Sequence, residues 1–119
     1  MSSLRVSLFG RFEVRSGKEI LTGFEARKAQ ELFCYLLLYQ NHPHPREALA
    51  ELLWDERQTD RPSRCLRKAL WQLRSALDSQ GGPLSSHVLQ IESDWVQIEP
   101  QADLWLDVAQ FEQSFQRVQ

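Results

Sequence analysis

Cysteine is scarce in this chain, and long apolar runs are missing. Its 119 residues hold two cysteines, Cys34 and Cys65, each inside an apolar helical pattern and in no CxxC pair. That usage favours two buried thiols in a reducing, cytoplasmic compartment over a disulfide or a zinc knuckle. The longest apolar run, Leu32 to Tyr39, falls far short of the ~20 residues that span a bilayer. The N-terminus, Met1-Ser2-Ser3-Leu4-Arg5, has no apolar segment of the kind a signal peptide needs. Membrane insertion is therefore not expected. No low-complexity tract, internal repeat or glycine-rich phosphate loop occurs.

Catalytic groupings are equally sparse. His42 and His44 share a proline-bound loop, His87 is remote, and no Ser, Cys or carboxylate stands at a spacing that builds a nucleophile with its base. A metal site needs more ligands than these histidines supply. Asp103 and Asp107 are four apart, which a helix-start carboxylate and a solvated one explain. The expectation is a chain that is not an enzyme, with no catalytic residue, no cofactor and no metal.

What the chain does have is the composition of a globular domain, 42% apolar and 25% charged, and enough length to bury a single core. Its net charge of -2 hides a strong asymmetry. From Arg57 to Arg74 the cations Arg57, Arg61, Arg64, Arg67, Lys68 and Arg74 face the single acid Asp60. A basic segment on an acidic body is a directional field that orients approach to a polyanion.

Leu4, Val6, Leu8 and then Phe12, Val14 alternate with polar neighbours on either side of Gly10, the period of half-buried strands over Leu4 to Phe9 and Arg11 to Arg15. Ser16-Gly17-Lys18 is a turn signal, and Ile20-Leu21 fits a short returning strand, so an N-terminal antiparallel sheet is predicted. Glu25 to Tyr39 follows as a helix that is apolar nearly all round and must be enclosed on most sides. Asn41-His42-Pro43-His44-Pro45 ends it. Pro45 suits the first position of a second helix to about Trp54, with Ala48, Leu49, Leu52 and Leu53 as its apolar stripe. A third helix spans about Ser63 to Asp78, with Ser63 or Asp60 as candidate caps. After a loop at Gln80-Gly81-Gly82-Pro83, Val88 to Ile91 and Trp95 to Ile98 alternate around Glu92-Ser93-Asp94, the spacing of a hairpin.

The predicted fold class is α+β: a winged helix-turn-helix with an N-terminal antiparallel sheet, a three-helix core and a C-terminal β-hairpin wing over residues 1–99. Beyond Pro100, Ala102 to Asp107 leads into Phe111 and Phe115, read as the start of a following helical domain that is cut short within 100–119.

The third helix carries the chemistry. At about 100° per residue, Leu66, Leu70, Leu73 and Leu77 fall on one side, flanked by Ala69 and Ala76. The opposite arc collects Arg74, Arg67, Trp71, Arg64, Ser75 and Lys68. A helix fits the DNA major groove, where arginine grips guanine O6 and N7 and lysine or arginine neutralises phosphates; a plain solvated face is the competing reading. Trp71 on that arc contacts base methyls, a sugar edge or a protein, or else folds back over the core. Arg46 would set its charge beside the free N–H groups that open the second helix, a phosphate site; an ordinary exposed charge is the alternative. Arg27 and Lys28 are weaker candidates.

These stretches resemble the N-terminal effector domain of the Streptomyces antibiotic regulatory protein family, bacterial activators with an OmpR-like winged helix. The resemblance runs through Leu4 to Phe12 (LRVSLFGRF), Ala26 to Leu38 (ARKAQELFCYLLL), Arg46 to Trp54 (REALAELLW), Leu66 to Leu77 (LRKALWQLRSAL) and Ala102 to Glu112 (ADLWLDVAQFE). It implies a DNA-binding domain of a transcriptional regulator that takes double-stranded DNA at direct repeats, head to tail, recruits RNA polymerase, and continues into a helical activation domain. It places Arg64, Arg67, Lys68, Trp71 and Arg74 on the recognition helix and matches Arg46 to the arginine that opens the second helix. Pro45 departs from the small hydroxyl residue common there, so a cap bond is expected to be lost. The acidic tip Glu92-Ser93-Asp94 departs from a minor-groove wing, which uses arginine or lysine, and predicts little wing contact with DNA. The competing function is a winged helix that docks onto other proteins, with Trp71 as anchor.

Overall fold

The structure is a computed structural model that describes residues 4–7, 12–17, 19–40, 42–55, 57, 60–79, 84–102 and 104–106. The expectations for Leu8 to Arg11, Lys18, Asn41, Gln80 to Pro83, Asp103 and 107–119, including Asp107, Phe111 and Phe115, lie outside the described residues. In chain order the elements are β1 (Leu4–Ser7), β2 (Glu13–Ser16), β3 (Glu19–Ile20), α1 (Arg27–Leu38), β4 (His44–Pro45), α2 (Arg46–Leu53), α3 (Pro62–Leu77), α4 (Leu84–Val88), β5 (Leu89–Ile91), β6 (Trp95–Ile98) and β7 (Leu104–Leu106). The architecture is α+β and forms two compact units, Met1–Leu21 with Asp103–Gln119, and Thr22–Ala102.

The first unit is a sheet in the order β3-β2-β1-β7. β1 and β2 are antiparallel, with Val6 opposite Val14 and Arg5 opposite Arg15. Period-two alternation buries Leu4, Val6 and Val14 and exposes Arg5 and Arg15. β3 returns after a turn in which Gly17 has φ +61°, a left-handed conformation that a side chain resists. Within the stretch expected to open a following helical domain, Leu104–Leu106 is instead extended and pairs in parallel with β1.

The second unit holds α1 to α4 and a sheet in the order β4-β6-β5. No residue from Lys28 to Leu38 is exposed, so α1 is enclosed as its apolar run requires. Ala29, Leu32, Phe33, Leu36 and Leu37 from α1 join Leu66, Ala69, Leu70, Leu73, Ala76 and Leu77 from α3 in the core, with Leu89, Val96 and Ile98 from the hairpin. At the loop before α1, Gly23 (φ +93°) brings the chain so close to α3 that a Cβ there would stand 3.3 Å from Ala76.

Four local expectations are corrected. Pro45 is not the first helical residue but the cap before it: at φ -58° and ψ 136° it stays extended and pairs with Trp95. The buried side of α2 also differs from the expected stripe. Leu49 and Ala50 are buried with Leu53 half-buried, whereas Ala48 and Leu52, expected inside, are exposed. The third helix begins at Pro62, whose missing N–H costs nothing at a helix start, and Arg61 takes the cap position with no side-chain cap, so neither Ser63 nor Asp60 serves. Finally, the segment before the hairpin is helical. Asp78 makes this possible, because its carboxylate accepts the Ser85 N–H at 2.8 Å and the Ser85 hydroxyl at 2.9 Å, supplying partners at the start of α4.

Lys28 closes the other end of the core. Its ammonium donates to the Leu53 carbonyl at 2.6 Å, lies 3.1 Å from Glu31 and stands 5.7 Å from the centre of the Trp54 ring. A cation there meets the carbonyls that end α2. Among the described residues, no helix is long and apolar enough to cross a membrane.

Candidate functional site

α3 presents its leucines inward and its cations outward, as the 3.6-residue period demands. Arg64, Arg67, Lys68, Trp71, Arg74 and Ser75 are all exposed, and Ser63 with them. Among the described residues, none of Arg64, Arg67, Lys68 and Arg74 is ion-paired. Trp71 is 68% exposed, which overturns the possibility that it folds back over the core. Arg64 and Trp71 form the crest at the middle of this outward arc, while Lys68 and Ser75 lie most nearly opposite the leucine stripe. They lie seven residues apart, about 10.5 Å along the axis at 1.5 Å per residue.

Each flank of the crest borders a groove. On one side, a groove of about 630 Å³ separates α3 from the start of α2 and the hairpin tip, with Arg46, Glu47, Ser63, Arg67, Ser93 and Asp94 in its lining. On the other, a recess of about 360 Å³ runs from Trp71 and Ser75 to the segment Thr22 to Ala26 before α1. The result is a convex basic ridge between two hollows.

Arg46 is placed differently from expectation. Its backbone N–H, expected to be free, donates to the Asp94 carbonyl at 2.9 Å, and its guanidinium donates to the Glu92 carbonyl at 3.1 Å. The hairpin thus supplies the partner that Pro45 does not, and Arg46 clasps the start of α2 to the tip of the β5–β6 turn. That tip offers exposed Glu92 and Asp94 and no cation. Of the weaker candidates, Lys28 is committed to Leu53 and Glu31. Arg27 remains on the surface, its side chain 90% exposed and 3.7 Å from Glu31, a pairing worth little in water.

No protein-family model, curated protein or solved structure matches the chain. The geometry therefore carries the functional argument. A guanidinium offers five donors in a fixed fork, suited to phosphate oxygens or to paired acceptors on a base edge, and the ridge sets out three such forks and an ammonium around one indole. The other titratable groups do different work. His44 is buried and donates from Nε2 to the Tyr39 carbonyl at 2.7 Å, with its ring edge-on to Tyr35 at 5.3 Å and 4.3 Å from His42, so these rings close the C-terminal end of α1. Burial, and then the negative charge of Glu31, raise the Cys34 thiol from 9.0 to about 11, which keeps it neutral.

Sequence reasoning missed Glu47, Ser63, Ser93 and Asp94 as the lining of the larger groove. They meet because the two-residue strand β4 pairs with β6, a contact across fifty residues of chain that no local pattern announces. The turn residues Glu92-Ser93-Asp94 were the one visible signal.

Proposed function

We propose that this chain is a winged helix-turn-helix domain that binds double-stranded DNA with sequence specificity, as part of a bacterial transcriptional regulator similar to the Streptomyces antibiotic regulatory protein family. α3 lies in the major groove, with α2 before it and the β5–β6 hairpin beside it as the wing. The observation that carries this reading is the outward face of α3, where Arg64, Arg67, Lys68 and Arg74 surround an exposed indole and none is ion-paired among the described residues. Four solvated cations on one rod of groove-fitting width favour a polyanion over a neutral partner.

Arg46 serves this function through the wing, holding the tip to α2. The acidic tip keeps the wing away from phosphates, so the affinity of one module comes chiefly from α3. One module contacts few phosphates, and paired sites, such as direct repeats, strengthen binding by raising the effective concentration of the second copy. Recruitment of RNA polymerase and a cytoplasmic location belong to the same reading, through the family resemblance.

The test is selection of bound duplexes from a random pool at two salt concentrations. A recovered motif, with affinity falling as salt rises, is expected. Failure to retain any duplex at low salt rejects the reading and favours protein docking, which the 68% exposed Trp71 would then anchor.

A further inference from the structure

Trp71 sits at the crest of α3, where a bare solvated cationic face would carry another polar residue. Its indole is 68% exposed, flanked one turn away by Arg67, Lys68, Arg74 and Ser75. On the recess side Trp71 borders a hollow whose other lining residues include Gly23, Glu25, Gln72, Ser75 and Ala76. A large apolar surface left open in this setting gains from a partner that is itself apolar but embedded among anions and hydrogen-bond acceptors. In the major groove one group has that character, the 5-methyl of thymine, which stands beside base-edge acceptors and within reach of the phosphate backbones.

We infer that Trp71 is a specificity-determining residue that seats a thymine methyl. This rests on the duplex-binding reading above and adds a spacing to it. Arg64 shares the crest, about 10.5 Å away along the helix. A base step rises about 3.4 Å, so the guanine gripped by Arg64 and the thymine met by Trp71 are set about three base pairs apart. The half-site thus contains a guanine and a thymine at that separation, and the thymine is read by shape and apolar contact, without a hydrogen bond.

Deoxyuridine provides the probe, because it deletes the methyl and leaves every hydrogen-bonding group in both grooves unchanged. Each thymine of a selected duplex is replaced singly by deoxyuridine, and Kd is measured for the whole chain and for Trp71→Ala. At one thymine the replacement weakens binding by the natural chain about fourfold, the worth of one buried methyl. Trp71→Ala is indifferent to the same replacement, and Arg64→Ala loses discrimination at a guanine about three base pairs from it. The proposal is overturned if every thymine tolerates deoxyuridine, or if Trp71→Ala keeps the full sensitivity; in both cases duplex binding itself stands. Failure of the natural chain to bind any duplex rejects the parent reading, and this inference with it.

Discussion

Arg67→Ala removes one of four cations from the outward face of α3 and touches nothing in the core, because the side chain is exposed and unpaired among the described residues. If Arg67, Lys68 and Arg74 each neutralise one phosphate while Arg64 grips a base, log K falls with log salt at a slope of about -2.7 per module, which is roughly a 40-fold loss between 50 and 200 mM salt. With Arg67 gone the slope becomes about -1.8 and the loss over the same range roughly 12-fold. Fluorescence anisotropy of a labelled duplex across a salt series reads both numbers, and thermal unfolding checks that the variant is as stable as the parent. A drop of about 1 to 3 kcal/mol at one base pair with little change in slope assigns Arg67 to a base edge instead. The reasoning is refuted if the parent chain shows a slope shallower than about -1, or if Arg67→Ala changes neither slope nor affinity.

Leu73→Ala empties a site in the middle of the α3 core face, where the side chain is fully buried; it is expected to cost about 2 to 5 kcal/mol in urea unfolding, more than any single change on the outward face. Cys34 is expected to alkylate about a hundredfold more slowly at pH 8 in the folded chain than in urea, since burial raises its thiol from 9.0 to about 11. The same shift means the unfolded chain releases that proton first, so Cys34 makes stability fall as pH rises from 9 towards 11, which unfolding curves across that range will show. Arg46→Ala breaks the donation to Glu92 and leaves the backbone bond to Asp94. Amide exchange at Glu92, bonded to the Trp95 carbonyl, is expected to speed up while the salt slope stays within experimental error; a slope reduced by about 0.9 would identify Arg46 as a phosphate contact.

Elements with strong periodicity were legible in the sequence. The leucines of α3 recur at helical spacing, and the structure buries each of Leu66, Leu70, Leu73 and Leu77 while exposing Arg64, Arg67, Lys68 and Arg74. The hairpin was equally readable, because Trp95 to Ile98 alternates on one side of a polar turn and the observed register pairs Ile91 with Val96. What local pattern did not contain was long-range pairing. β4 is two residues that become a strand because β6 lies alongside, and Leu52 faces outward from α2 where its spacing suggested a buried stripe. α4 depends on a carboxylate seven residues upstream, Asp78, rather than on a signal within Leu84–Val88. β7 exists through parallel pairing with β1 at the opposite end of the chain. Trp71 was ambiguous for a different reason: composition places an indole on a cationic arc but does not say whether it turns inward, which its exposure decides.

The central claim is that the outward face of α3 reads a duplex from its major groove, and methylation interference addresses it directly. Guanine N7 projects into the major groove and adenine N3 into the minor groove. Premethylation of a selected duplex is predicted to block binding at guanine N7 within the motif and to have no effect at adenine N3, with the guanine signal lost or displaced in Arg64→Ala or Arg67→Ala. Binding that survives methylation at every guanine N7, or that is blocked only at adenine N3, would contradict the account.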